Sequence, residues 1–287
     1  MANAKPSEIT PATLSIQLLA LLERVSRRAR KGDVHRLRTT VRRLEVQLKT
    51  PPPKVEKSLD KLRRKAGKVR DIDVHLDLLE PPLLPRRRTA DSPEARAQEK
   101  LRSLLRRRRD RERTTLRAVV KDYAALLETQ LPDLIQQLPP HDVTLQEVRQ
   151  HASRARRHYL QWTHSIPEDE QQLHQLRIRA KKERYLLEPL HKYEEAAELA
   201  ERFRQVQDAI GEWHDWATLA ELAEKYFDSA KDSSGPGAVL HALRARAGRE
   251  YRRARRSAES VRSWMMGRRP VASVGSDAGP KLIHKAG

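Results

Sequence analysis

The chain has 287 residues, with 59 Lys+Arg against 39 Asp+Glu, a formal net charge of +20 and no cysteine. The lack of cysteine excludes disulfides, thiolate metal sites, iron–sulfur clusters and cysteine nucleophiles. The charge favours an anionic partner through long-range attraction and says little about fold.

Hydrophobic residues make up 38%, below the roughly 45–50% usual in globular proteins, so polar helices around modest cores are expected. No run approaches the roughly 18 apolar residues of a membrane-spanning helix. The short apolar run 18–22 lacks the flanks of a signal peptide, and a cytoplasmic location is the default. Most of the 17 prolines separate stretches of helical periodicity, where a ring without an amide proton is a credible boundary. Alternation of period 2 is nearly absent, so no sheet is expected. Helices are predicted over 12–31, 33–49, 54–79, 94–130, 143–164, 169–188, 191–228 and 238–266. An exposed loop is expected around 229–237 and a loose basic tail over 267–287.

The first helix should turn into the second at Gly32, with Asp33 as the second helix's cap. In that second helix Leu37, Val41, Leu44 and Leu48 form one apolar stripe, and His35, Arg38, Arg42 and Lys49 lie beside it. In the third helix, Asp71 and Asp73 follow Arg70 and are candidates for orienting arginines by ion pairing. Ser92 and Pro93 suit the start of the fourth helix. Along that helix Arg102, Arg106, Arg109, Arg113 and Arg117 form a ladder, on a different side from the packing residues Leu101, Leu104, Leu105, Val119 and Tyr123.

His151, with Arg154 and His158 at helical spacing, marks the fifth helix. The sixth has a stripe of Leu173, Leu176, Ala180 and Leu187, with His174, Arg177 and Lys181 alongside. The seventh contains Gly211, which leaves open whether it is one helix or two. Arg249, Arg252, Arg253 and Arg256 cluster on the last helix. Guanidinium groups suit phosphate because each donates two parallel hydrogen bonds and keeps its charge. A histidine beside them adds a donor that strengthens on protonation.

The sequence repeats. VHRLRTTVRRLEVQL (34–48) aligns without gaps on LHQLRIRAKKERYLL (173–187), matching His35 with His174, Arg38 with Arg177, Arg42 with Lys181 and Arg43 with Lys182. GKVRDID (67–73) aligns on GEWHDWA (211–217), matching Gly67 with Gly211 and Asp71 with Asp215. Duplication at so long a period predicts an all-α fold of two four-helix bundles with internal pseudo-twofold symmetry, over 12–138 and 143–266, with the boundary near Pro139 and Pro140. No metal-ligand spacing, Gly-rich phosphate loop or nucleophile elbow is present, so no metal, cofactor or catalytic residue is assigned.

These four motifs, in the chain order 34–48, 67–73, 173–187 and 211–217, resemble the conserved-histidine α-helical domain, or CHAD, family over about residues 12–266. The resemblance implies two four-helix bundles related by a pseudo-twofold axis. It also implies noncatalytic binding of inorganic polyphosphate on a basic surface or channel between and across the bundles. It assigns the family's histidines to His35 and His174, and its basic positions to Arg38, Arg42, Arg43, Arg177, Lys181 and Lys182. The further binding candidates, Arg102, Arg106, Arg109, Arg113, His151, Arg154, Arg249, Arg252 and Arg256, come from the helix patterns, as do Asp71, Asp73 and Asp215 in the orienting role. The resemblance implies a cytoplasmic location, with polyphosphate granules as one setting. A nucleic-acid backbone is the alternative ligand for the same groove, and a structural interaction protein is a third reading. Few aromatic residues argue against a stacking platform for single strands.

Overall fold

A computed structural model describes residues 9–48, 50–80, 83, 92–138, 144–229 and 235–267. Among the described residues there are eight α-helices and no β-strand: α1 Pro11–Arg27, α2 Lys31–Gln47, α3 Pro53–Leu78, α4 Pro93–Gln136, α5 Leu145–Trp162, α6 Glu170–Leu187, α7 Glu194–Ser229 and α8 Pro236–Gly267. The boundary expected at Pro139 and Pro140, Lys49 and the tail beyond Gly267 lie outside the described residues, as does most of the expected 229–237 loop.

Local chemistry starts several of these helices. Thr10 caps α1 and makes a reciprocal pair with Thr13, ahead of Pro11 in the first turn. The Ser92 hydroxyl accepts from the Ala95 amide at 3.2 Å, as expected. Thr144 and Glu147 form a capping box on α5, and Asp169 accepts from the Gln172 amide at 2.6 Å. Such side chains satisfy amides that the first helical turn leaves without partners.

The first turn and the end of the fourth helix differ from expectation, and the open question of the seventh is settled. The first helix stops at Arg27 and the second begins at Lys31, because the chain turns through extended Arg28 and Arg30 with Ala29 buried between them. Gly32 therefore lies inside α2 without a left-handed φ. Asp33 is not the cap but a buried first-turn residue, 2.8 Å from Arg36 and 3.6 Å from Arg24. The fourth helix runs through Pro132 to Gln136, held by Leu127 and Leu131, which are fully buried. The seventh is one helix, continuous through Gly211, with Ile210, Trp213 and Trp216 buried around the glycine.

The helices form two bundles. In the first, α1 packs on α2 and α4, and α3 packs on α2 and α4. Its core contains Leu18, Leu22, Leu37, Val41, Leu44, Leu59, Leu62 and Leu127. In the second, α5 packs on α6. Buried Tyr159 of α5 meets Phe203 of α7 edge-on and donates to the Ala258 carbonyl of α8 at 2.9 Å.

The chain's two compact units share the last two helices. One unit comprises Met1–Pro139 and Asp215–Ala247, the other Pro140–His214 and Gly248–Gly287. The first unit thus has a second core, in which Ile72, Leu101 and Leu105 pack with Trp216, Leu219, Phe227, Val239 and Leu243. Gly235 starts α8 there: a methyl group on it would stand 2.2 Å from the Pro93 carbonyl oxygen, so only glycine permits that approach.

Candidate functional site

The apolar stripe of α2 fixes its orientation. Val34, Leu37, Val41, Leu44 and Leu48 are all buried, which leaves His35 exposed and Arg38, Arg42 and Arg43 half-buried beside them. Arg38 lies across α3 at Gly67, its Nε 3.4 Å from the place a glycine methyl would take. Its guanidinium is 3.7 Å from Asp71. Partial desolvation of the ring, and then Arg70, Arg38, Arg36 and Arg43, hold the His35 imidazole below its ordinary 6.5. Cations crowded around a histidine disfavour its charged form, and an arriving anion reverses that effect.

The arginine ladder of α4 divides by depth. Arg106 is exposed, while Arg102, Arg109 and Arg113 are half-buried. Arg102 and Arg106 approach Glu99 at 3.7 and 2.8 Å, and Arg117 donates from Nε to the Ser26 carbonyl at 3.0 Å. Arg113 reaches Asp73 of α3 at 3.7 Å. Asp73 is 2% exposed, and among the described residues neither of its oxygens accepts a hydrogen bond. Burial raises its pKa, opposed by Arg113, Arg109, Lys31 and Arg70 in that order. Arg113, at contact distance, and Arg109, Lys31 and Arg70 through their charges thus act from three helices on one buried carboxylate. Nearby, Arg27, Arg28, Arg113 and Arg117 line a recess of about 230 Å³ together with Ala29, Asp110 and Thr114.

The second unit repeats the arrangement on α6 and α7. Leu173, Leu176, Ala180 and Leu187 are buried, with His174, Arg177 and Lys181 half-buried beside them. Arg177 lies across Gly211, with Nη2 and Nε 3.1 and 3.2 Å from a methyl group placed there. The His174 ring stacks on His214 at 4.8 Å. Burial, then His214, Arg177 and Lys181, lower the His174 pKa.

Lys182, Arg154, Arg249, Arg252 and Arg256 are exposed and His151 is half-buried. Arg253 instead pairs with Glu212 at 2.8 Å, and His158 hydrogen-bonds Glu183 at 2.9 Å. In the first unit, Asp215 is half-buried and its carbonyl accepts from the Thr218 hydroxyl at 3.3 Å. Among the described residues no three His, Asp or Glu side chains are grouped to hold a metal ion.

Lys31, Arg27 and Arg28 had no distinguishing sequence signal, because their neighbours come from other helices. Arg70 and His214 did have one: they occupy matched positions in the repeat, each next to the site histidine of its own unit.

An all-helical protein of two bundles, with a histidine–arginine face in each unit, is the class this geometry defines. The CHAD domain family model matches residues 14–224, and the chain belongs to that family, which is non-catalytic. The fold is similar to the crystal structure of the CHAD domain from the plant Ricinus communis, with a TM-score of 0.68 and 21% identity over 98% of this chain and 95% of that one. It is also similar to PptA from Streptomyces chartreusis, with a TM-score of 0.57 and 16% identity over 88% of this chain and 98% of that one. No curated protein sequence matches the chain. Among the described residues no helix is long and apolar enough to cross a membrane.

Proposed function

We propose that this chain binds inorganic polyphosphate, without catalysis, on the arginine- and histidine-lined faces of its two duplicated segments, 12–138 and 143–266. The observation that carries the reading is the recurrence of one arrangement in both units. A histidine and an arginine one turn apart flank a buried stripe, and the arginine is laid across a glycine of a neighbouring helix. Cations from separate helices, held apart by a folded core, match a flexible polyanion that meets them in succession. The family's association with polyphosphate points the same way. None of the four Trp, six Tyr and two Phe side chains is fully exposed, and six are buried, which disfavours an aromatic platform for nucleic-acid bases. The cytoplasm, including polyphosphate granules, is the compartment where such a ligand would be met.

Titration with long-chain polyphosphate at several ionic strengths tests the proposal. Affinity should fall with a log–log slope of about −0.7 per neutralised phosphate, a value borrowed from single-stranded nucleic acids. Replacing Arg38, Arg42, Arg177 and Lys181 together by alanine should weaken binding more than tenfold, about 1.4 kcal/mol, and deleting residues 267–287 should do less. Competition against DNA at equal phosphate concentration separates the two polyanions. A salt-independent affinity, or a folded quadruple variant that binds like the parent, would refute the proposal.

A further inference from the structure

Gly67 and Gly211 are buried inside helices, where glycine is the poorest choice after proline. Neither has a left-handed φ, so backbone conformation does not require glycine at either place. Gly32 and Gly237, also helical, have nothing within 4 Å of an added methyl. Gly67 and Gly211 differ: the three atoms nearest an added methyl all belong to one arginine guanidinium, that of Arg38 or Arg177.

We infer that Gly67 and Gly211 are positioning residues, each a seat that lets one arginine lie flat against the neighbouring helix and present its guanidinium to a phosphate. The inference rests on the polyphosphate reading. An exposed arginine has many rotamers, and capturing a ligand with it costs the freedom of those rotamers. Seated against a helix, the side chain has lost much of that freedom before the ligand arrives. In the first unit the seated group is also turned by Asp71, 3.7 Å away. A planar guanidinium fits such a shelf, whereas a lysine ammonium on its flexible stem would not be oriented by it. The two partners come from separately aligned segments of the duplicated chain, and the same contact forms in both units.

The test measures long-chain polyphosphate affinity and thermal unfolding for Gly→Ala and Gly→Leu at each position, with and without Arg38→Ala or Arg177→Ala. Gly211→Ala should weaken binding about threefold and Gly67→Ala less than twofold, because the added methyl meets guanidinium nitrogens at 3.1–3.2 Å in one and 3.4 Å in the other. Gly→Leu should approach the loss caused by removing the arginine. Neither alanine variant should unfold at a lower temperature than the parent, since alanine is the better helix former.

A purely structural glycine would affect binding whether or not the arginine is present. A positioning one should have no effect on affinity once Arg177 is alanine. If the leucine variants do not fold, the Gly211→Ala and Arg177→Ala cycle decides alone. Folded leucine variants that bind like the parent, or a Gly211→Ala effect undiminished without Arg177, would overturn the seats. A parent that does not bind polyphosphate removes both readings, and a parent that binds alongside equally tight glycine variants removes the seats alone.

Discussion

Replacing Arg113 should damage the protein more than replacing the carboxylate it faces. Asp73 is buried, accepts no hydrogen bond among the described residues and has Arg113 at 3.7 Å. At that separation opposite charges attract by about 4.5 kcal/mol at an effective dielectric constant of about 20. Even with Arg109, Lys31 and Arg70 adding to the attraction, burial leaves the Asp73 pKa above its ordinary 3.8. Desolvation therefore exceeds the Coulombic gain, and Asp73→Asn should be neutral or stabilising by about 1 kcal/mol at pH 7. Arg113→Ala keeps the buried charge and removes its nearest cation. With three cations left to compensate, the expected cost is about 2–3 kcal/mol.

Combining the two substitutions should recover most of that loss, a coupling of about 2 kcal/mol. The pH dependence has a defined sign. A carboxyl whose folded pKa is raised binds its proton more tightly in the folded state, so its contribution to stability falls as pH rises from 3.8 through the folded value. Any advantage of Asp73→Asn should accordingly vanish in acid. Urea unfolding followed by far-UV circular dichroism, at pH 7 and at about pH 4, measures all four corners of the cycle. Arg113→Ala no more harmful than Asp73→Asn would refute this account of the buried charge.

Because burial and neighbouring cations hold His35 and His174 below 6.5, polyphosphate should raise both pKa values as it offsets those cations. Affinity should then increase as pH falls from 7 to 5 with proton uptake, measurable by calorimetry in two buffers, and a flat profile would contradict it. Without ligand the sign is opposite: a histidine with a depressed folded pKa makes the protein less stable as pH drops through 6.5. Pro132 is exposed and interior to α4, so Pro132→Ala should raise stability by up to about 3 kcal/mol in urea unfolding. Glu183→Leu, giving the second repeat the residue that the first has at Leu44, should keep stability within about 1 kcal/mol of the parent or improve it. Glu183→Ala should cost about 1–3 kcal/mol.

Much of the helical framework was legible because periodicity and capping are local. The stripe 37, 41, 44 and 48 is buried, as are its counterparts at 176, 180, 183 and 187. The cap at Ser92 was readable from one dipeptide. Where reading failed, a tertiary contact outweighed a local preference. Asp33 has the chemistry of a cap but lies between Arg24 and Arg36, and Pro132 suggested an end where buried leucines carry the helix onward. Glu183 interrupts the apolar stripe, and only the packing of α5 on α6 shows that His158 meets it.

By itself the sequence determined that the chain is helical, that it is basic, that one helix face recurs with its histidine and arginine, and which leucines point inward. A helical period of 3.6 residues specifies which side of a helix is buried. It does not specify which helix lies opposite. The tertiary structure alone decided that Arg38 comes to rest on Gly67 and Arg177 on Gly211. It also decided that Asp73 is enclosed while Asp71 stays exposed, and that Asp215–Ala247 joins the N-terminal helices in one compact unit. These outcomes depend on long-range packing of apolar surface, which brings together residues that share no local pattern.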